Sequence, residues 1–360
     1  IKEDNYFFKL SEFAPKLIAH IKSNPDFILP ESKRNEVLSF LEKEEVRDIS
    51  ASRTSFTWGI PFPTDAPSKH VIYVWFDALV NYISALEPEM TPSGLKGAKF
   101  EKYWGTNSDP VAIHLLGKDI LRFHAIYWPC FLMAVGVPLP KRIYAHGWWT
   151  IEGQKMSKSK GNAIDPLQFI AQYGNDAFRL FLFREFPMGQ DGDFSLKNFK
   201  DRVNADLANN FGNLVSRALT LVNKFMGAQT KVPKLLSRQE ALETAIEQAL
   251  FKLQTIYSSG DAMEKFEFHQ VLNDTFAFVS SLNKYIDNKA PWSLAKDPAK
   301  MGEVETILNT VAEGLRIAAI VLSPFTPQTS DETLRRLGQE PITYWQKQGL
   351  TKALTWGAGK

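Results

Sequence analysis

The sequence is poor in cysteine. Cys130 stands alone in 360 residues, which excludes an internal disulfide and a Cys-rich zinc knuckle and fits a reducing compartment. Long apolar runs are missing as well: fragments such as Ile317 to Leu322 fall far short of the roughly 18 residues that cross a bilayer, so no membrane partner is expected. Charge bias is also absent, because 42 Lys and Arg stand against 40 Asp and Glu for a net +2. Bulk charge therefore announces no polyanion partner, and any nucleic-acid contact must be local. No low-complexity tract and no repeat at a fixed period is present, which argues against linker-rich and solenoid architectures. The opening residues Ile1-Lys2-Glu3-Asp4-Asn5 hold neither an initiator methionine nor the charged-then-apolar pattern of a signal peptide, so an internal start is expected.

What is present can fill cores. Hydrophobic residues make up 44% of the chain, and at about 150 residues per domain this length suggests two to three domains. Two amphipathic stretches, Leu10 to Ile21 and Lys33 to Lys43, are separated by Pro25 and Pro30 and read as a satellite segment. From Val71 the texture changes. A β-branched and aromatic run leads into a helical pattern, Val111 to Leu116 reads as a buried strand before another helix, and Arg142 to Ala145 reads as a third strand. That alternation predicts parallel α/β winding. After about residue 196 the strand signals stop, and four long patterned stretches predict an all-α bundle: Asn198 to Phe225, Gln239 to Tyr257, Ala262 to Ile286 and Met301 to Leu322.

The densest chemical signal is Lys155-Met156-Ser157-Lys158-Ser159, read as a loop after the last α/β strand and flanked by Gly153 and Gly161. Residues 141 to 160 carry five Lys and Arg against one Glu, a larger excess than the whole chain's. Two lysines three residues apart can set ammonium groups beside neighbouring phosphates and stabilise charge on a leaving pyrophosphate. A solvated basic loop is the alternative for such a short motif. Two further patterns put aromatic residues on shared helix faces: Trp75, Ala78, Leu79 and Tyr82, and then Ile120, Phe123, His124 and Trp128. Such faces are either ordinary core or the walls of a pocket for a flexible thioether. Asn213 and Arg217 share a helix face, and Pro291-Trp292 ends another patterned stretch. They are helix-surface and packed residues, or else a base-reading amide, guanidinium and stacking ring.

The Lys-Met-Ser-Lys-Ser run after His146-Gly147-Trp148-Trp149 resembles the second signature of the class I aminoacyl-tRNA synthetases, most closely the methionyl branch. The likeness extends along the chain through Asn5-Tyr6-Phe7-Phe8-Lys9-Leu10, Arg53-Thr54-Ser55-Phe56-Thr57-Trp58-Gly59-Ile60-Pro61, Tyr73-Val74-Trp75-Phe76-Asp77-Ala78, Gly117-Lys118-Asp119-Ile120 and Ala290-Pro291-Trp292. It implies an α/β plus all-α chain, the second half of a class I Rossmann-type nucleotide-binding fold followed by a helical-bundle anticodon-binding domain. The implied divisions are 1–68, the remainder of a connective insertion; 69–149, the second half of the catalytic fold; 150–198, the lysine loop and stem-contact region; and 199–360, the anticodon-binding domain.

The resemblance also implies roles. Lys155 and Lys158 would be catalytic, and with Gly117, Asp119, His146, Gly147 and Trp149 would bind ATP, accompanied by Mg²⁺. An N-cap is the competing role for Asp119. Trp75, Ala78, Leu79, Tyr82, Ile120, Phe123, His124 and Trp128 would bind methionine. Leu79 stands where some members carry proline, and His124 has the alternative of a satisfied core histidine. Asn213, Arg217, Pro291 and Trp292 would read a CAU anticodon. The first class I signature, His-x-Gly-His, is absent: His20, His70, His114, His124, His146 and His269 include no pair three apart, and His114-Leu115-Leu116-Gly117 matches it only superficially. The family's amino-terminal part, and any zinc held by its insertion, would lie upstream. The rivals are another class I synthetase for an apolar amino acid and a non-catalytic tRNA-binding module.

Overall fold

A computed structural model describes residues 4–43, 46–64, 69–92, 94–156, 161–227, 241–258 and 261–358. The chain divides into two compact units, Ile1–Trp148 and Trp149–Lys360.

The first unit is built on a three-stranded parallel sheet in the order Ile28–Leu29, Arg142–His146, Ile113–Gly117. The helices Leu10–Ser23 and Glu31–Lys43 share one core with the sheet. Leu17, Ile21 and Val37 pack with Leu116, Ile126, Ile143 and Ala145. Cys130 lies in the same core, where burial pushes its thiol up to about 12. The first stretch is therefore no satellite: Ile28 pairs with Ile143 and Leu29 with Tyr144. A two-residue strand carries no periodicity of its own, and its partner lies more than a hundred residues away, so the sequence does not reveal it.

Two further expectations change. Val71–Ile72 pairs antiparallel with Ser52–Arg53 rather than joining the parallel sheet, and the helix begins at Val74 and runs to Ser84. The strand expected to be buried, Ile113–Gly117, instead alternates. Ile113 and Leu115 are 42% and 52% exposed while His114 and Leu116 are buried, because successive strand residues point to opposite faces. This strand is at the edge of the sheet, with no partner on its outer side among the described residues.

In the second unit, Trp149–Ile151 pairs antiparallel with Gln154–Lys155 and parallel with Gly192–Phe194. Lys155 thus belongs to a hairpin strand rather than to an irregular loop. Glu152 and Gly153 form its two-residue turn at φ 49° and 74°, the left-handed pair that matches the twist of hairpin strands. Asp193 locks the hairpin by accepting from Thr150 Oγ1 at 2.6 Å and from the Gly153 N–H at 2.7 Å. These two bonds, the Thr150 one foremost, hold its carboxyl below the usual carboxylate range.

The bundle is as expected in outline. Leu196–Arg202 continues through a π-helical stretch, Val203–Gly212, into Asn213–Met226. Phe266 at φ 60° interrupts the expected helix from Ala262, leaving Asp261–Glu264 and Phe268–Lys289. Ala241–Ser258 and Met301–Leu322 complete the set, followed by Pro327–Arg336 and Ile342–Gln348. Residues Ile307 to Leu322 are buried without interruption, the mark of a helix surrounded on all sides. At Gly314 a Cβ would meet Leu282 Cδ1 at 2.5 Å, so glycine lets the two helices approach.

Inside that helix Arg316 and Glu313 form a fork at 2.8 and 2.6 Å. Arg316 also donates to the carbonyls of Ala353 and Thr355, and Glu313 accepts from the Gly357 N–H. The pair thus pins residues 353–357. Removing one member strands a buried charge. Arg316→Ala should therefore lower stability by about 3–5 kcal/mol in urea unfolding, whereas Arg316→Met with Glu313→Leu should cost far less.

Candidate functional site

In the first unit, the helix Val74–Ser84 and the segment Lys118–Ala134 face each other through aromatic rings. That segment opens with a 3₁₀ turn, Lys118–Ile120, passes through a π turn, Phe123–Tyr127, and ends in the α-helix Trp128–Ala134. The single α-helical face expected for Ile120, Phe123, His124 and Trp128 is thus assembled by other means. The Trp128 N–H bonds to the carbonyl of Phe123, five residues back as in a π turn.

Trp75 stacks on Phe123 with centroids 3.7 Å apart and planes 13° apart. Trp75 also meets His124 edge-on at 6.3 Å, and Tyr82 lies 5.6 Å from His124 and 6.3 Å from Trp128. These five rings, drawn from two elements, converge on one place. Leu79 faces inward instead, into a core with Trp104 and Trp128, while Ala78 is exposed and Ile120 half-buried.

The hydrogen bonds fix the protons. His124 Nδ1 lies 3.0 Å from the carbonyl of Ile120, which can only accept, so Nδ1 carries the proton. Burial lowers the pKa of His124, although the Ile120 bond opposes this. The neutral ring then accepts at Nε2, and the Tyr82 hydroxyl 2.9 Å away donates to it. Burial raises the Tyr82 pKa.

One residue that the motifs did not single out joins the group. His114, 6% exposed, accepts the Trp128 indole N–H at Nε2 over 3.1 Å, and Trp128 itself is 1% exposed. Burial first, and then the neighbouring His124, lower the His114 pKa to about 4. The signal was its place in phase with Leu116 on a strand, where residues two apart share a face.

Close by, Gly117 pairs with His146 across the sheet. A Cβ on Gly117 would meet Asp119 Oδ1 at 2.5 Å and His146 Cε1 at 3.8 Å, so glycine leaves room for an exposed carboxylate above the strand end. Gly117, not Asp119, occupies the cap position of the following turn. His146 Nδ1 is 2.8 Å from the Gly147 carbonyl and donates to it. In the second unit Trp149 sets its ring against Phe186 at 5.3 Å and Phe181 at 5.8 Å. Lys158 lies outside the described residues.

Elsewhere in the second unit, Asn213 opens the helix Asn213–Met226. Arg217, one turn later, places its guanidinium 5.8 Å from the Trp292 ring centre and donates to Asp287 Oδ1 at 2.5 Å. Pro291 is buried and Trp292 is 39% exposed. Asp287, which orients Arg217, is a partner that residue spacing alone did not suggest.

Residues 1–219 match the family model described as tRNA synthetases class I (M), and residues 252–352 match the anticodon-binding domain of tRNA ligase. The chain belongs to the methionyl class I tRNA synthetase family. Its fold is that of the family's Rossmann-like catalytic domain with a carboxy-terminal helical anticodon-binding domain. The methionine–tRNA ligase of Caldanaerobacter subterraneus is 46% identical over 355 residues, 98% of this chain and 53% of the relative. That of Bacillus subtilis is 41% identical over 349 residues, 96% of this chain and 50% of the relative. The chain thus spans about half the length of the curated relatives it matches. The Mycobacterium tuberculosis methionyl-tRNA synthetase solved in complex with methionyl-adenylate aligns with TM-score 0.82 at 39% identity, over 95% of this chain and 64% of that one. No described helix is long and apolar enough to cross a membrane.

The neutral histidines tie stability to pH. A lowered folded-state pKa means that the unfolded chain binds the proton first, so His114 contributes stability that is complete above about 6.5 and lost as pH falls through about 4. Across that window His114→Gln should lose less stability than the parent, by up to about 3 kcal/mol in denaturant titrations at pH 7 and pH 4.

Proposed function

We propose that this chain is the part of a methionine–tRNA ligase that carries the second half of the catalytic fold and the anticodon-reading bundle. The lack of a partner on the outer side of Ile113–Gly117 among the described residues, together with the half-length span of its relatives, supports reading the sheet as half of a larger one. The complete enzyme would let the methionine carboxylate attack the α-phosphate of ATP, release pyrophosphate, and then transfer methionyl to the terminal ribose of tRNA. Positioning and electrostatics carry the first step, so no covalent enzyme intermediate is needed.

The single observation that carries this reading is the convergence of Trp75, Tyr82, Phe123, His124 and Trp128. Stacked and edge-on rings offer a thioether dispersion and sulfur–aromatic contacts, and the Tyr82–His124 pair supplies polarity at one wall. Ala78 and Ile120 belong to the same binding face in this reading, and Leu79 supports it from the core behind. In the first unit, the exposed Asp119 carboxylate beside Gly117 suits a ribose hydroxyl donor, with His146 and Gly147 toward the base. In the second unit, Lys155, on the hairpin that Asp193 locks, and Lys158, three residues further along the chain, serve the departing pyrophosphate, and Trp149 contributes to ATP binding. Mg²⁺ bound to ATP would screen its phosphates.

For tRNA, Arg217 presented by Asp287, the half-exposed Trp292 set by buried Pro291, and Asn213 on the same helix face provide a guanidinium fork, a stacking ring and an amide for the unpaired bases of a CAU anticodon. The enzyme is expected to act in the cytoplasm.

Two substitutions in the full-length enzyme separate these roles. Lys158→Ala should slow methionyl-adenylate formation in stopped flow by at least about a hundredfold while methionine affinity stays within about twofold. An unchanged rate removes this lysine from the catalytic list. Trp292→Ala should weaken aminoacylation of tRNA with a CAU anticodon by about tenfold or more, with ATP–pyrophosphate exchange near normal. An equal fall in both activities makes Trp292 a structural aromatic.

A further inference from the structure

The aromatic site contains two donors and two acceptors that are matched one to one. Tyr82 O–H donates to His124 Nε2 at 2.9 Å, and Trp128 Nε1–H donates to His114 Nε2 at 3.1 Å. The four rings are crowded enough to exchange partners: Tyr82 and His114 have centroids 4.4 Å apart, and the two histidines 5.8 Å. The neighbouring indole of Trp104, 6.0 Å from Trp128, does not compete, since its N–H is spent on the Pro138 carbonyl at 2.8 Å.

We propose that His114 is a positioning residue for the methionine site: by accepting the Trp128 N–H it fixes the indole at the wall and reserves His124 for Tyr82. It touches no substrate and acts through these two neighbours. A buried N–H without an acceptor is costly. If His114 could not accept, the indole would turn toward the remaining lone pairs, those of His124 Nε2 and the Tyr82 oxygen, and the Tyr82–His124 bond would loosen with it. One lost acceptor then changes two walls. The consequence should be felt in ground-state binding of the side chain more than in the chemical step.

This inference rests on reading the aromatic cluster as the methionine site, and the test keeps the two apart. In the full-length enzyme, ATP–pyrophosphate exchange gives KM for methionine and kcat for His114→Leu, His114→Gln, Trp128→Phe and the double variant H114L/W128F. A glutamine amide oxygen reaches about as far as an imidazole Nε2 and accepts in its place. His114→Leu should raise KM about tenfold with kcat within about threefold, His114→Gln should stay within about threefold in both, and the double variant should be little worse than Trp128→Phe alone. Equal KM values for the leucine and glutamine variants, or full additivity with Trp128→Phe, overturn the positioning role. If His114→Leu does not fold, His114→Gln decides: a KM within about threefold supports the role, and a tenfold rise overturns it. A Trp128→Phe variant with unchanged KM overturns the methionine site itself, whatever His114 does.

Discussion

A donor sealed inside an apolar core must find an acceptor there, as the Trp128 indole does, and the Tyr82 hydroxyl at the partly open side of the same cluster is met in the same way. Both are met by histidine nitrogens that burial keeps unprotonated. A protonated imidazole could accept neither bond, so desolvation, which depresses the histidine pKa values, is also what makes the hydrogen bonds possible. The proton locations then follow from the partners on the far side, as the Ile120 carbonyl shows for His124. Aromatic walls are common in cores. Walls whose polar atoms are each assigned a single partner are what a selective binding face requires.

The second unit solves the same problem with charge. Arg316 is wholly buried, and its fork engages Glu313 and two carbonyls while Glu313 also accepts from a backbone N–H. The two carbonyl bonds and the Gly357 N–H bond reach from the helix to the segment 353–357, so the pair joins pieces of the bundle that hydrophobic contact alone would leave free to slide. Asp193 performs a smaller version of this task at the hairpin that carries the start of the lysine run, where a single carboxylate oxygen holds both Thr150 and the Gly153 N–H. Arg217 is likewise held by Asp287 beside the Trp292 ring. Presenting a guanidinium in a fixed orientation reduces the ordering that a ligand must impose on binding.

Much of this was legible in the sequence where periodicity is long and local. The helices Leu10–Ser23 and Met301–Leu322 start where their apolar patterns start. Features made by distant pairing were not: Ile28–Leu29 is defined by Ile143 and Tyr144, and Val71–Ile72 by Ser52 and Arg53. The aromatic face of Ile120 to Trp128 was found by α-helical spacing although 3₁₀ and π turns build it, because those turns straddle the α-helical period and their errors partly cancel. His114 completes no His-x-Gly-His motif and lies on no patterned helix, and only its strand phase with Leu116 marks it as inward-facing. Asp287 and Asp193 could not be found at all by spacing, since each acts across some forty residues or more on a partner that no motif links to it.

The central claim is that the rings of Trp75, Tyr82, Phe123, His124 and Trp128 receive the side chain of methionine. Selenomethionine offered as the ligand to the otherwise sulfur-containing full-length protein tests it directly, since selenium scatters anomalously and marks its own position in a crystal. The account predicts one strong anomalous peak within van der Waals reach, about 4 Å, of the Tyr82, His124 and Trp128 rings. A peak elsewhere in the molecule, with the aromatic cluster empty at a saturating ligand concentration, would contradict it.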